Sequence, residues 1–191
     1  VAVVVLHPTK GVGIGAQAYT ASGMVLSQGK NARVLTAGHV CAPPEVPPPT
    51  VVVDMVSEMT VYDSAGMRHT AKVLRIDKAN DLCLLEVPHI RGRPMVLARA
   101  EPSKHARVYT VGAPMGAWSP DGTVVFEGHY VGHHGDDSVY SIPAAPGSSG
   151  SPIVNGRGQL VGMVSRGLPP NWHVVYSPTL EAIRAFVEHK S

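Results

Sequence analysis

Short stretches of β-branched and apolar residues, each cut off by Gly, Pro, Asn, Asp or Ser, run the whole length of this 191-residue chain. Val1 to Leu6, Gly13 to Thr20, Met24 to Ser27, Arg33 to Ala37, Thr50 to Val53, Thr60 to Tyr62, His69 to Ile76 and Leu82 to Val87 read as strands. So do Ala106 to Val111, Thr123 to Val131, Val139 to Pro143, Pro152 to Asn155, Leu160 to Ser165 and His173 to Tyr176. Strands this short, with turn residues between them, predict an all-β barrel or sandwich.

Composition supports that class and removes others. Valine occurs 29 times against 11 leucines, which favours pleated, half-buried strands. The 20 glycines and 17 prolines make many turns and rule out long helices or coiled coil. No apolar run reaches the ~18 to 20 residues of a membrane-spanning helix, so no membrane segment is expected in this chain. A formal net charge of +2 without a basic tail gives little electrostatic case for nucleic acid as a partner.

The stretch Pro88 to Lys104 carries Arg91, Gly92, Arg93, Pro94 and Pro102 and lacks a strand pattern. It reads as the connection between two β-rich units, residues 1–100 and 101–191. The run Ala42 to Pro49 reads as a stiff, polyproline-like loop. One helix is convincing near the end: Leu180, Ile183, Phe186 and Val187 form an apolar stripe, with Ser177 expected as its cap and Pro178 at its first position. Because the first residue is Val, the chain reads as a processed or excised product, for instance of a larger polyprotein.

Three short segments carry chemistry. Leu35-Thr36-Ala37-Gly38-His39-Val40 is a strand ending in a small-residue turn and a histidine. Asn80-Asp81-Leu82-Cys83-Leu84-Leu85 puts an aspartate at the mouth of a buried strand. Pro146-Gly147-Ser148-Ser149-Gly150-Ser151-Pro152 is a glycine-flanked serine in a tight loop. Singly, these are a turn residue, a loop cap and an ordinary Gly-Ser loop. Together they supply a base, an orienting carboxylate and a nucleophile. Asp77 is the rival carboxylate.

Other signals are weaker. An α/β-hydrolase elbow would need G-x-S-x-G, but Ser151 stands two after Ser149, and the order of the three residues is wrong for that fold. Gly11-Val12-Gly13-Ile14-Gly15 is half a dinucleotide fingerprint with no helix or acidic partner after it. His129, His133 and His134 beside Asp136 and Asp137 read as a solvated hairpin tip, because their spacing matches no zinc arrangement. No metal or cofactor is expected. Cys41 and Cys83 each stand two residues past a proposed triad member and read as reduced core thiols.

The three segments resemble the signature of the chymotrypsin-like (trypsin-like) serine proteases. The loop around Ser149, Ile76 to Val87 and Val111-Gly112-Ala113-Pro114-Met115-Gly116 are most similar to HtrA-type and small viral proteases of that family. The resemblance implies two packed six-stranded antiparallel β-barrels with a C-terminal helix. His39 and Asp81 would come from the first barrel and Ser149 from the second. Asp81 is preferred to Asp77 because it directly precedes the apolar strand, as in the family pattern. The N–H groups of Gly147 and Ser149 would form the oxyanion hole, and the substrate would be a polypeptide hydrolysed through an acyl-enzyme.

By the same resemblance, Pro143, Ala144 and Val164 would line the primary pocket, and Ser165, Arg166 and Gly167 would pair with the substrate backbone. That lining is uncharged, so cleavage after small or medium apolar residues is expected. His173 lies near the rear of this wall. Ser148 stands where trypsin-like zymogens carry an aspartate, which argues against activation by an inserted N-terminus. The family's disulfides are missing, which favours a reducing, intracellular or viral setting. Two other classes remain: an inactive binding module of the same fold, and a capsid-type protein that cleaves itself once.

Overall fold

Val34, Leu35 and Ala37 face Leu85, Leu84 and Leu82 across one antiparallel pair, and every one of these side chains is buried. Continuous apolar runs like these need cover on both faces, which is why they sit at the centre of a core and not on its surface. At about 1.5 to 3 kcal/mol for each fully buried aliphatic side chain, this pair is a main contributor to the first half of the protein.

The computed structural model describes residues 2–8, 19–42, 57–168 and 171–189. Its first half holds β1 (Ala2–Pro8), β2 (Tyr19–Val25), β3 (Arg33–Ala37), β4 (Ser57–Tyr62), β5 (Arg68–Thr70), β6 (Lys72–Asp77) and β7 (Leu82–Glu86). A one-turn helix, α1 (Gly38–Cys41), follows β3. Among the described residues these strands form one antiparallel sheet in the order β5-β4-β1-β2-β3-β7-β6.

The second half holds β8 (Arg107–Gly112), β9 (Trp118–Ser119), β10 (Gly122–His134), β11 (Asp137–Ser141), β12 (Pro152–Asn155), β13 (Leu160–Met163), β14 (Arg166–Leu168) and β15 (Asn171–Pro178). They form a second sheet in the order β13-β12-β8-β10-β11-β15-β14, with β9 paired to β10. The chain is therefore mostly β, and α2 (Leu180–Glu188) closes it. No helix among the described residues is long and apolar enough to cross a membrane.

The connection after Val87 does more than link. Met95 N–H donates to Val25 O at 2.8 Å, and Ala98 N–H donates to Leu160 O at 2.9 Å, so this segment is bonded to both sheets. Helix α2 also crosses the divide. Leu180 packs into the second core, whereas Ile183 and Phe186 pack into the first together with Leu160 and Met163. Arg75 of β6 fixes the far end of the helix: it donates to the Phe186 carbonyl, donates to His189 O at 3.2 Å, and lies 4.4 Å over the Phe186 ring. A cation here satisfies the last carbonyls and complements the negative end of the helix.

Several local expectations need correction. The cap of α2 is Thr179, whose hydroxyl accepts from Ala182 N–H at 3.1 Å. Ser177 is still in β15, where its hydroxyl accepts from Met163 N–H and donates to Pro178 O. Pairing with β11 carries the strand through Pro178 and moves the helix start two residues on. His69 to Ile76 is two strands, broken at Ala71, whose N–H donates to Met59 O. The strand from Leu160 stops at Met163, because Val164 turns its N–H to Ser151 O. The Pro-rich run after Ala42, the Gly11 to Gly15 stretch, Thr50 to Val53 and Val1 lie outside the described residues.

Candidate active site

β3 delivers its C-terminal end into α1, so His39 emerges one residue inside a single helical turn. The turn between β6 and β7 brings Asp81 alongside. Gly38 N–H donates to Asp81 O at 2.8 Å, and His39 N–H donates to Asp81 Oδ1 at 2.7 Å. Asp81 has a φ of 52°, in the left-handed region that a non-glycine residue adopts at some cost. The two bonds from α1 hold it there. Its carboxylate then meets His39 Nδ1 at 2.9 Å, while His39 Nε2 lies 3.0 Å from Ser149 Oγ.

The Asp81 carboxylate accepts a further bond, from Ser165 Oγ at 2.5 Å. Burial pushes the carboxyl pKa up, but the bonds from His39 and Ser165 more than offset this, and it lies below the ordinary value. An ionised carboxylate beside Nδ1 keeps the proton on that nitrogen and leaves Nε2 as the acceptor facing the serine. Asp77 is used otherwise: it accepts from Ala79 N–H, Asn80 N–H and Asn80 Nδ2, as a turn cap.

The loop holding Ser149 is best read by accounting for each peptide group. Pro146 O accepts from Met115 N–H, Gly147 O from Ser22 Oγ, Ser148 O from Ser151 N–H, and Ser149 O from Ser22 N–H. Ser148 N–H donates to Ala145 O, and Gly150 N–H to Val164 O. Among the described residues, the N–H groups of Gly147 and Ser149 donate to no backbone carbonyl. In a trans peptide the C=O and N–H point in opposite directions. Tying down the carbonyls of residues 146 and 148 therefore turns these two donors the other way.

The loop needs its glycines. Gly150 has a φ of 83°, and a Cβ there would stand 2.1 Å from Ser22 O. Gly147 has a φ of 94°, with Ala113 O 2.5 Å from the place of a Cβ. Ser148 is buried and its hydroxyl turns back on the loop, accepting from Ala145 N–H at 3.1 Å.

The residues expected at the specificity pocket are distributed differently from one another. Ala144 and Val164 are buried in the second core, and Pro143 is half-buried. Val164 is bonded to the nucleophile loop through both its N–H and its carbonyl. Ser165, expected to pair with the substrate backbone, aims its hydroxyl at Asp81. Arg166 is exposed on β14, which lies at the end of its sheet. Its guanidinium pairs with Asp137 and lies 5.1 Å over the Tyr176 ring. Gly167 packs beside Trp172, and His173 is exposed on β15.

The hairpin expected at His129, His133 and His134 beside Asp136 and Asp137 is there, joining β10 to β11. His133 Nε2 lies 2.7 Å from Glu101 Oε2, and His134 stacks edge-on against Tyr176. Glu101 also accepts from Tyr130 Oη, Ser138 Oγ and Leu180 N–H. Burial raises the Glu101 pKa, but these donors bring it below its ordinary value. Tyr130 is pushed up to about 12 by burial and by Glu101.

The cysteines are the clearest correction. Cys41 and Cys83 are not thiols but a disulfide, with Cα atoms 6.3 Å apart. It joins the end of α1 to β7, and so ties the element carrying His39 to the strand that follows Asp81. Equal offsets from His39 and Asp81 signal such proximity, yet spacing alone cannot separate a close thiol pair from a bond. Reading along the chain also misses Ser22 and Glu101, whose partners lie up to 125 residues away.

Residues 21–163 match the sequence pattern of the family described as trypsin-like peptidase domain. No protein of curated function matches the chain by sequence. Among solved structures, the active form of the Rv3671c protease from M. tuberculosis is 21% identical with a TM-score of 0.71, over 100% of this chain and 82% of that one. An inactive form of Rv3671c is 22% identical with a TM-score of 0.68, over 98% and 89%. The serine endoprotease from Yersinia pestis is 18% identical with a TM-score of 0.73, over 97% of this chain but 61% of that one. At such identities the likeness is one of fold.

Proposed function

The chain belongs to the trypsin-like peptidase family, and we propose that it is a serine endopeptidase with Ser149 as nucleophile, His39 as base and Asp81 as orienting carboxylate. One observation carries this reading: His39 Nε2 is 3.0 Å from Ser149 Oγ while its other nitrogen is held by Asp81. As Ser149 Oγ attacks the scissile carbonyl, its proton passes to His39 Nε2, and the imidazolium is stabilised by Asp81. The new oxyanion is received by the N–H groups of Gly147 and Ser149, each a contribution of roughly 3 to 4 kcal/mol. His39 then protonates the leaving amine. Water, deprotonated by the same histidine, releases the second product from the acyl-enzyme.

On this reading the two sheets, of seven and eight strands among the described residues where six each were expected, curl into two barrels, in units 1–100 and 101–191, with the cleft between them. A polypeptide substrate adds as a strand beside Ser165, Arg166 and Gly167, at the start of β14. Its primary side chain enters an uncharged pocket whose wall includes Pro143, Ala144 and Val164. The solved neighbours reported above are bacterial, and a viral setting has no support from them. A reducing setting rested on the absence of the family's disulfides. With Cys41 and Cys83 joined, an oxidising compartment is the setting we adopt.

The test is cleavage of a mixed peptide library by the native protein, Ser149→Ala and His39→Ala. Either substitution is expected to cut turnover on the order of 10⁶-fold. Undiminished cleavage by Ser149→Ala would end this reading, and no cleavage by the native protein would return the chain to a binding module.

A further inference from the structure

Ser22 lies in β2 of the first sheet, fully buried, yet every polar group it owns is engaged beneath the nucleophile loop or its support. Its hydroxyl donates to Gly147 O at 2.9 Å and accepts from Ala113 N–H at 3.0 Å. Its N–H donates to Ser149 O at 2.8 Å, and its carbonyl accepts from Thr36 Oγ1 at 2.7 Å. A single side chain of the first sheet therefore bridges the loop after β8 and the loop carrying Ser149, both from the second half.

We propose that the Ser22 hydroxyl is a positioning group for the oxyanion hole. This rests on the reading that the Gly147 and Ser149 N–H groups receive the oxyanion. Gly147 is where that hole is easiest to lose. With a φ of 94° and no side chain, its two flanking peptides can rotate about a residue that few steric walls confine. Met115 N–H holds the carbonyl before it, and Ser22 Oγ holds its own carbonyl. Without the hydroxyl, the Gly147–Ser148 peptide has one anchor less, since Ser148 N–H to Ala145 O is then its remaining bond. Ala113 N–H would also be left buried without its acceptor, an arrangement that favours rearrangement of the loop. Ser22 does not touch the substrate. It acts on the direction of the Gly147 N–H.

The measurement compares Ser22→Ala and Ser22→Thr with the native enzyme, after circular dichroism and melting establish folding. For Ser22→Ala, kcat is expected to fall by about 10- to 100-fold, less than the 10²–10³ that follows outright removal of a donor. KM should stay within about twofold. A peptidyl boronic acid, whose oxygen occupies the hole, should lose affinity by the same factor as kcat. An uncleaved peptide, measured on Ser149→Ala protein, should bind alike with and without the Ser22 change. Ser22→Thr keeps the hydroxyl and should retain most of kcat. Should Ser22→Ala not fold, Ser22→Cys carries the same comparison, being close in size with a weak donor. An unchanged kcat, equal losses in Ser22→Ala and Ser22→Thr, or a ground-state peptide weakened as much as the boronate would each overturn the positioning role. Failure of the boronate to bind the native protein would instead overturn the nucleophile reading, whatever Ser22 does.

Discussion

Ser165 donates to the Asp81 carboxylate at 2.5 Å, although the two residues stand 84 positions apart, Asp81 just before β7 and Ser165 just before β14. The carboxylate that orients His39 is thus held from both halves of the protein. A shift of one sheet against the other would change the Asp81 environment before it broke any backbone bond within a sheet.

Removing that hydroxyl should be felt at the histidine. Ser165→Ala takes away a bond to the charged form of Asp81, so the carboxyl pKa should rise and the carboxylate should lose an anchor that aims it at His39 Nδ1. We expect kcat/KM to drop by about 10- to 100-fold, since a bond to a charged group is worth about 1.5 to 3 kcal/mol. Steady-state kinetics of the variant beside the native protein are the check.

The Cys41–Cys83 bond closes a loop of 42 residues in sequence separation and should stabilise the fold by about 2 to 4 kcal/mol. Reduction, or the Cys41→Ser, Cys83→Ser double substitution, should lower the melting temperature by several degrees. Thiol titration of the unfolded native protein, with and without reductant, is the direct check. Two free thiols before reduction would contradict the bond.

Acid should destabilise the protein through Glu101, Asp81 and the buried Asp63, which meets His69 Nε2 and accepts from Ala65, Met67 and Arg91 N–H, all three carboxyls being held below their ordinary values. The sign follows from linkage. The unfolded chain binds these protons at higher pH than the folded one, so the stabilisation is present above about pH 4.5 and fades as pH falls through the folded values. Glu101→Gln should lower stability near neutrality by about 1 to 3 kcal/mol, because four donors converge on that carboxylate. Its denaturation midpoint should approach that of the native protein as pH falls below about 4.5. Denaturant titrations across that range would show whether the two curves converge.

Cleavage is expected after small or medium apolar residues such as Ala, Val, Leu or Met. A charged side chain entering beside Pro143, Ala144 and Val164 would lose hydration with nothing to replace it, at a cost of several kcal/mol. An apolar one gains roughly 1.5 to 3 kcal/mol on burial. Library profiling decides it: dominant cleavage after Glu or Gln would implicate His173, and after Arg or Lys an acid such as Asp136.

The sequence by itself determined the class of the protein and the residue types at its centre. Alternation and Gly/Pro punctuation are local properties, so strands such as Arg33 to Ala37 and Pro152 to Asn155 are legible from neighbouring residues alone. The small residues around His39 and Ser149 are legible for the same reason, because a tight turn needs them wherever it occurs. The tertiary structure decided what meets what. Cys41 finds Cys83, Ser165 turns to Asp81, Ser22 reaches under Gly147, and α2 lays Ile183 and Phe186 on the first core. Even the cap of α2 followed pairing, as β11 drew β15 on to Pro178 and left Thr179 to start the helix. Each of these contacts depends on strand register and on how the two sheets are juxtaposed. Those are set by the packing of the whole chain, and a window of neighbouring residues carries no record of them.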